Sequence, residues 1–135
     1  MKKLLFFLSF LISLHSFSQK TEKLALRKYK IATLSDSLKE TSGLTFLKDK
    51  LYTLNDGGNT NEIFEIDKNS GKILSKLKIN FPNKDWEAMT SDGENFYIGD
   101  FGNNAGNRKD LAVYKVDFQG NYSKNSFNYS AQDDF

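Results

Sequence analysis

The sequence predicts an all-β protein, and three observations support that prediction. Residues 40–59 return without a gap 45 residues later as residues 85–104. Each copy leads into a short apolar segment that ends in an aspartate, Asp67 in the first and Asp117 in the second. The segments are rich in β-branched and aromatic residues and are separated by Asp-Gly, Asn-Gly and Ser-Gly types of break. A period of about 45 residues, built from short strands and turns, is typical of β-propeller blades.

Each copy divides into four predicted strands. In the first copy they cover residues 43–47, 51–55, 62–67 and 72–79, and in the second copy residues 87–90, 95–99, 111–117 and 126–130. The loop after the second strand is about five residues longer in the second copy, and Pro82 lies between the copies, outside any ladder. The prediction is a partial propeller of two blades, residues 40–81 and 85–135, and the propeller is incomplete at the C-terminus.

The residues before the first copy predict export. Lys2 and Lys3 precede an apolar run over residues 4–14 that is too short to span a bilayer, and small residues follow at the end of the run. This is the pattern of a secretory signal peptide, residues 1–18, so the expected location is periplasmic or extracellular, with no stable membrane insertion after cleavage. Residues 19–39 are predicted to hold an N-terminal strand, within 24–34, and a polar connection.

The amino-acid composition excludes several kinds of catalytic site and metal site. His15, the only histidine, lies in the signal peptide, and the chain has no cysteine. Catalysis by Ser-His-Asp or Cys-His is therefore excluded for the exported chain, as are metal sites built on imidazole or thiolate. Without Lys2 and Lys3 the 19 basic residues become 17, against 17 acidic ones, so no basic footprint for nucleic acid is present. No cofactor is certain; with oxygen ligands alone, the metal that fits is a hard cation such as Ca²⁺.

The candidate binding residues gather at one edge of the predicted blades. Adjacent strands are antiparallel, so the start of the first strand lies beside the end of the second. The first strand is innermost in a propeller, which places this edge at one mouth of the central channel. The candidates on this edge and in its long loop are Glu40, Asn55, Asp56, Asp85, Trp86, Glu87, Asp100, Asn103, Asn104 and Arg108. The carboxylates predicted as metal ligands are Glu40, Asp85 and Asp100.

Several of these candidate binding residues also have a purely structural interpretation. Asp-Gly and Asn-Gly segments are ordinary turn chemistry, which would account for Asn55 and Asp56 without any ligand. Trp86 would line a binding mouth or pack between the blades. Arg108 would recognise a ligand from the long loop or pair with a nearby acid.

The motifs also resemble a known family. Ser42 to Leu44, residues 55–59, residues 62–67, Asp85 to Met89 and residues 97–104 resemble the pattern of a family of secreted, uncharacterised bacterial β-propellers. The resemblance covers residues 40–117, and it implies a protein with more blades but no established activity. A looser similarity joins the chain to six-bladed NHL and gluconolactonase or regucalcin-like propellers. That similarity implies a calcium ion in the channel, with Glu40 at a ligand position.

Two functions remain open from the sequence. The first is an exported binding or scaffold module that takes a protein, a glycan or a small molecule and has no evident catalytic machinery. The second is a calcium-dependent hydrolase or lactonase with channel carboxylates as metal ligands. Two blades cannot close a ring, so the sequence predicts a fragment of a larger propeller, with self-assembly as the alternative if the chain is complete.

Overall fold

The structure is a computed structural model that describes residues 23–129, and these residues form two four-stranded antiparallel sheets. The first sheet contains β1 (Thr41–Leu47), β2 (Lys50–Asn55), β3 (Glu62–Ile66) and β4 (Ile73–Lys78). The second contains β5 (Trp86–Ser91), β6 (Phe96–Asp100), β7 (Ala112–Val116) and β8 (Tyr122–Ser126). In both sheets neighbouring strands are also neighbours in sequence, as short hairpin connections require. The predicted all-β chain with two four-stranded sheets is confirmed.

The predicted strand within residues 24–34 is wrong. Leu26–Tyr29 forms a 3-10 helix, in which the backbone N–H of Lys28 donates to the carbonyl of Ala25 at 2.9 Å. Its leucine and tyrosine are 75% and 68% exposed. A second short 3-10 helix, Asp36–Leu38, buries Leu38.

The last strand begins earlier than predicted. The sequence predicts a strand over residues 126–130, whereas β8 is Tyr122–Ser126. The preceding turn is tight, because the Asp117 carboxylate accepts the backbone N–H groups of Gln119 and Asn121, each at 2.9 Å. Gly120 has φ of 81°, which favours glycine, and the turn is complete at Asn121. β8 therefore begins at Tyr122, directly after the turn.

The pairing registers of the two sheets correspond at an offset of 45 residues. In the first sheet Thr41 pairs with Asn55 and Thr45 with Tyr52; in the second, Trp86 pairs with Asp100 and Thr90 with Tyr97. Both β1–β2 and β5–β6 contain an irregularity one residue after the first pair. The 45-residue correspondence ends after the second strand of each sheet. The loop that follows covers residues 56–61 in the first sheet and 101–111 in the second. The longer second loop has the five extra residues that the sequence predicts.

The two sheets pack through their first strands. β1 lies along β5, and a Cβ atom on Gly43 would lie 2.7 Å from the backbone nitrogen of Met89. Glycine at this position therefore allows the two backbones to approach closely. Two serines join the strands: Ser42 Oγ donates to the Trp86 carbonyl at 2.7 Å, and Ser91 Oγ donates to the Phe46 carbonyl at 2.6 Å.

The main hydrophobic core lies between the sheets. The first sheet contributes Leu54 and Ile63, and the second contributes Trp86, Phe96 and Ile98, all at most 1% exposed. A smaller cluster, in which Phe64 and Ile66 contact Leu38, lies on the other side of the first sheet.

The predicted signal peptide, residues 1–18, lies outside the described residues. By its internal contacts the chain divides after residue 30, and both sheets belong to the second unit. In the described range 23–129, no helix is long and apolar enough to cross a bilayer.

Candidate functional site

Three carboxylates meet at the edge where the two sheets adjoin. Asp56 follows β2, Asp85 precedes β5, and Glu87 is the second residue of β5. One carboxylate oxygen from each lies within 4.8 Å of the others, and all three residues are partly buried. Because the first acid comes from one sheet and the other two from the next, the packing of β1 along β5 creates this group. We call Asp56, Asp85 and Glu87 the acidic cluster.

Two glycines leave room for the acidic cluster. A Cβ atom on Gly57 would lie 2.8 Å from the Cα atom of Asp85 and also against its carboxylate. A Cβ atom on Gly102 would lie 2.5 Å from Oε1 of Glu87. The two glycines are 45 residues apart in sequence, one in the loop after β2 and the other in the loop after β6. Each loop thus approaches the carboxylates with its bare backbone, as only glycine permits.

Asn83 connects the end of β2 to the start of β5 beside the acidic cluster. Its Nδ2 donates to the backbone carbonyls of Asn55 at 3.0 Å and Asp56 at 2.8 Å. Its Oδ1 accepts the backbone N–H of Trp86 at 3.1 Å. One amide therefore joins the end of β2 to the start of β5. The sequence analysis missed Asn83; the signal was an asparagine three residues before a strand, a spacing that suits a side chain bonded to nearby backbone.

Burial and repulsion within the acidic cluster both change the proton affinity of Glu87. Burial raises the pKa of the Glu87 carboxyl, and the neighbouring charges of Asp56 and Asp85 raise it further. Both causes act against the ionised form. A positive charge placed among the three carboxylates would relieve this repulsion.

The Arg108 guanidinium contacts several groups next to the acidic cluster. Its Nη2 lies 2.9 Å from the carboxylate of Asp100, its Nε lies 3.2 Å from that of Asp110, and its Nη1 donates to the Gly102 carbonyl at 2.8 Å. Nη1 is also 4.0 Å from the carboxylate of Asp85. The guanidinium thus pairs with nearby acids, the structural alternative that the sequence left open for this residue.

Asp110 links Arg108 to a second cation. Its carboxylate pairs with Lys84 as well as with the guanidinium. Lys84 and then Arg108 lower the pKa of Asp110 to about 2. The pairs extend the network of charges from the acidic cluster along the long loop.

The three predicted metal ligands do not form one group. Only Asp85 belongs to the acidic cluster. Glu40 is exposed, and its Oε2 accepts Nδ2 of Asn59 at 2.8 Å. Asp100 is 1% exposed; it pairs with Arg108 and accepts the backbone N–H of Asp85 at 3.1 Å. Asp56 and Glu87, predicted as binding-face residues, take the places beside Asp85.

The remaining predicted residues support the edge in different ways. Asn55 is 3% exposed and donates from Nδ2 to the Ser37 carbonyl at 2.8 Å, while its Oδ1 has no partner in the part of the chain that the structure describes. Asn103 Oδ1 accepts the backbone N–H of Arg108 at 2.8 Å, which shapes the long loop. Asn104 is exposed on that loop.

Trp86 belongs to the core. Its side chain is fully buried, and its ring lies 5.4 Å from the ring of Phe81. Its indole N–H has no partner within residues 23–129. This tryptophan therefore has a packing role. Its two sequence neighbours, Asp85 and Glu87, belong to the acidic cluster instead.

A cleft adjoins the acidic cluster. Asn59 and Asn83, which both donate to the Asp56 carbonyl, also line a cleft of about 460 Å³ beside the segment that joins the sheets. Its walls include two more asparagines, Asn61 and Asn80. The edge thus combines carboxylate and amide groups, which are suitable ligands for a hard cation.

No protein-family model matches the chain, and a search of curated proteins gives no match.

Proposed function

We propose that this chain is an exported binding module of the β-propeller type, and that its acidic edge takes a positively charged ligand. The support for a propeller is the arrangement of the sheets. Both have four antiparallel strands in sequence order, their first two strands have equivalent registers 45 residues apart, and their first strands lie together. Propeller blades have this strand order, with the first strand innermost. The predicted signal peptide supports export.

The observation that carries the binding proposal is the acidic cluster. Three carboxylates within 4.8 Å repel one another, and that repulsion contributes to the raised pKa of Glu87. A ligand cation replaces this repulsion by attraction. Ca²⁺ suits the oxygen donors; an ammonium or guanidinium group of a partner is the organic equivalent.

The proposal is tested by calorimetric titration of the exported form with CaCl₂. We expect saturable binding that is weakened at least about tenfold by Asp85→Asn and by Glu87→Gln. Glu40→Gln is the matched control, because Glu40 is an exposed acid at the same edge but lies outside the acidic cluster. Lysine and arginine methyl esters, titrated in the same way, test the organic cations. Absence of binding by every probe, or equal loss in the Glu40 variant, contradicts the proposal.

A second candidate is a calcium-dependent hydrolase or lactonase, and the position of the Glu87 carboxylate, within 4.8 Å of the carboxylates of Asp56 and Asp85, favours it. In this role Asp56 and Asp85 would hold the cation, which would supply a Lewis acid, and Glu87 would accept a proton from water. Hydrolysis of simple lactones and aryl esters tests it. Turnover that requires Ca²⁺ and is lost in Glu87→Gln supports the enzyme; the same slow rate in both proteins rejects it.

A further inference from the structure

The chain contains two Asp-Gly pairs, Asp56-Gly57 and Asp92-Gly93. In such a pair the backbone nitrogen of the glycine can attack the carboxyl carbon of the aspartate side chain, because glycine has no side chain that blocks the approach. The product is a succinimide ring. Water opens the ring either to aspartate or to isoaspartate, in which the backbone runs through the former side-chain carboxyl. The conformation of each pair decides whether this reaction occurs in the folded protein.

In the first pair the nitrogen and the carboxyl are already in contact. The Gly57 N–H donates to Oδ1 of Asp56 at 2.5 Å, so the carboxyl carbon lies one covalent bond beyond an atom that the nitrogen touches. Both residues are partly buried, whereas the next residue, Gly58, is exposed, with nothing within 4 Å of a would-be Cβ atom. The reacting atoms are therefore close together, and water reaches the loop that carries them.

The backbone carbonyl of Asp56 accepts three hydrogen bonds. Nδ2 of Asn83 donates at 2.8 Å, Nδ2 of Asn59 at 3.1 Å and the backbone N–H of Asn59 at 3.4 Å. This carbonyl belongs to the same peptide group as the Gly57 nitrogen. When that nitrogen loses its proton, resonance moves negative charge to the carbonyl oxygen, where the three donors stabilise it. In the succinimide the same donors polarise this carbonyl toward attack by water, the route that gives isoaspartate.

The second pair is held differently. The Asp92 carboxylate accepts the backbone N–H groups of Glu94 at 2.9 Å and Asn95 at 2.7 Å, and the hydroxyl of Tyr97 at 2.9 Å. Within residues 23–129 the Gly93 N–H is not among its donors. The Asn95 and Glu94 N–H groups also lower the pKa of Asp92, which keeps the carboxylate ionised and therefore a poor electrophile. The fold thus protects this pair.

We propose that Asp56 is a site of spontaneous isomerisation to isoaspartate in the folded protein, and that Asp92 is protected from it. The Gly57 nitrogen bonds to Cγ of Asp56, the Cγ–OH bond breaks, and the amide proton leaves with the hydroxyl as water. One water molecule then adds to the former backbone carbonyl, and the bond from that carbonyl to the Gly57 nitrogen breaks. The two steps need no oxidant or reductant, and water is the only other reactant.

Isomerisation would change the acidic cluster. The former side-chain carboxyl of Asp56 becomes a backbone amide, and the new carboxylate forms at the carbonyl that Asn83 binds. The cluster then loses the Asp56 oxygen that lies within 4.8 Å of those of Asp85 and Glu87. The inference itself does not depend on cation binding, because it concerns a bond that forms within the chain.

Peptide mapping of the aged protein tests the proposal. Folded protein is incubated at pH 6 in water enriched in heavy oxygen and digested with trypsin, which places the two pairs in peptides 51–68 and 85–108. Electron-transfer mass spectrometry then distinguishes isoaspartate from aspartate. We expect isoaspartate to accumulate at Asp56 at least about tenfold faster than at Asp92, because only the first pair holds its reacting atoms together. Each isoaspartate should carry one heavy oxygen atom, and unincubated protein gives the blank.

Protein unfolded in urea is the first control, because both pairs should react there at similar rates. Asn59→Ala removes one donor to the Asp56 carbonyl and should slow the reaction at Asp56 about tenfold, since a hydrogen bond to a developing charge is lost. Asn80→Ala, at an exposed asparagine of the same cleft, should react as wild type, and circular dichroism checks both folds.

Three results would overturn the proposal. The first is an equal rate at Asp56 and Asp92 in the folded protein. The second is a slower reaction at Asp56 in the folded protein than in urea, which would mean that the loop holds the carboxyl away from the nitrogen. The third is an unchanged rate in folded Asn59→Ala, which would mean that the donors to the carbonyl do not assist the reaction.

Discussion

Nη2 of Arg108 lies 2.9 Å from the carboxylate of Asp100, whose side chain is 1% exposed. The pair joins the long loop to the end of β6, and the same aspartate accepts the N–H of Asp85 at the border of the acidic cluster. Asp100 is thus a support of the edge, while its neighbour Asp85 contributes a carboxylate to the acidic cluster. This division of roles has direct consequences for stability and for binding.

Replacing Arg108 with methionine should lower stability strongly. The change retains part of the side-chain volume but leaves the Asp100 carboxylate buried without its cation. Breaking a buried pair in this way costs about 3–5 kcal/mol. Urea unfolding measures the loss, with Lys109→Met as control because Lys109 is an exposed neighbour. A loss below about 1 kcal/mol, equal to that of the control, would show that the pair is not structural.

Replacing Glu87 with glutamine should stabilise the cation-free protein at neutral pH. The folded-state pKa of Glu87 is raised, so ionisation costs the folded state stability as pH rises from the unfolded-state pKa through the folded-state pKa. The variant removes this cost. Thermal unfolding in chelator should show a higher Tm than wild type at pH 7, and a smaller difference at pH 4. Glu94→Gln, at an exposed turn, is the control. A lower Tm for Glu87→Gln at pH 7 contradicts this account.

The ionised carboxylate of Asp110 should stabilise the folded protein, whereas that of Glu87 destabilises it, and the effect of Asp110 should change at a lower pH. Lys84 and Arg108 lower its pKa to about 2, so its contribution is present above the ordinary aspartate range and is lost as pH falls toward 2. Asp110→Asn should therefore flatten the acid limb of a stability-against-pH curve. An acid limb with the same slope in both proteins would show that other carboxylates produce it.

Alanine at Gly57 or Gly102 should displace the acidic cluster. A Cβ atom there would enter the space of Asp85 or Glu87, so we expect a stability loss of about 1–3 kcal/mol and weaker cation binding. Gly93→Ala separates the two effects. Gly93 has φ of 93° and nothing within 4 Å of its would-be Cβ, so alanine there strains the backbone alone. Calorimetry should find unchanged cation affinity in Gly93→Ala; equal loss in all three variants would contradict the packing argument.

Trp86 should report on the contact between the sheets. It is the only tryptophan and is fully buried, so its fluorescence should have a short-wavelength maximum and resist quenching by acrylamide. Trp86→Ala should cost about 3–5 kcal/mol, because it leaves a large cavity. Trp86→Phe should cost less, since the indole N–H it removes is a buried donor without a partner among the described residues. Ready quenching in the native protein would place this residue outside the core.

The strand pattern and the pairing of the first strands could be predicted because both follow from local sequence. Antiparallel pairing of neighbouring strands already places the start of the first strand beside the end of the second, and the pairs Thr41–Asn55 and Trp86–Asp100 agree with this. The error at residues 24–34 has a clear cause. Alternating apolar residues indicate a strand only when another strand pairs with them, and Leu26 and Tyr29 are largely exposed in a 3-10 helix instead.

The composition of the acidic cluster could not be predicted from the repeat. The repeat places Glu40 and Asp85 at matching positions, but their side chains have different neighbours. Asp56 reaches Asp85 because β1 packs along β5 and Asn83 holds the loop, and neither contact has a periodic signal in the sequence. Arg108 likewise finds Asp100 only when the inserted loop folds back. Side-chain groups that join two sheets depend on tertiary packing, whereas strand register depends on the chain nearby.

The proposed cation site is tested most directly by an NMR pH titration of the Glu87 side-chain carboxyl carbon, with and without CaCl₂. Without calcium the account predicts a pKa above that of an ordinary glutamate, because the carboxyl is partly buried beside Asp56 and Asp85. With calcium bound, the cation should favour the carboxylate and lower the pKa. A Glu87 pKa that is the same in both titrations would contradict a cation site at the acidic cluster.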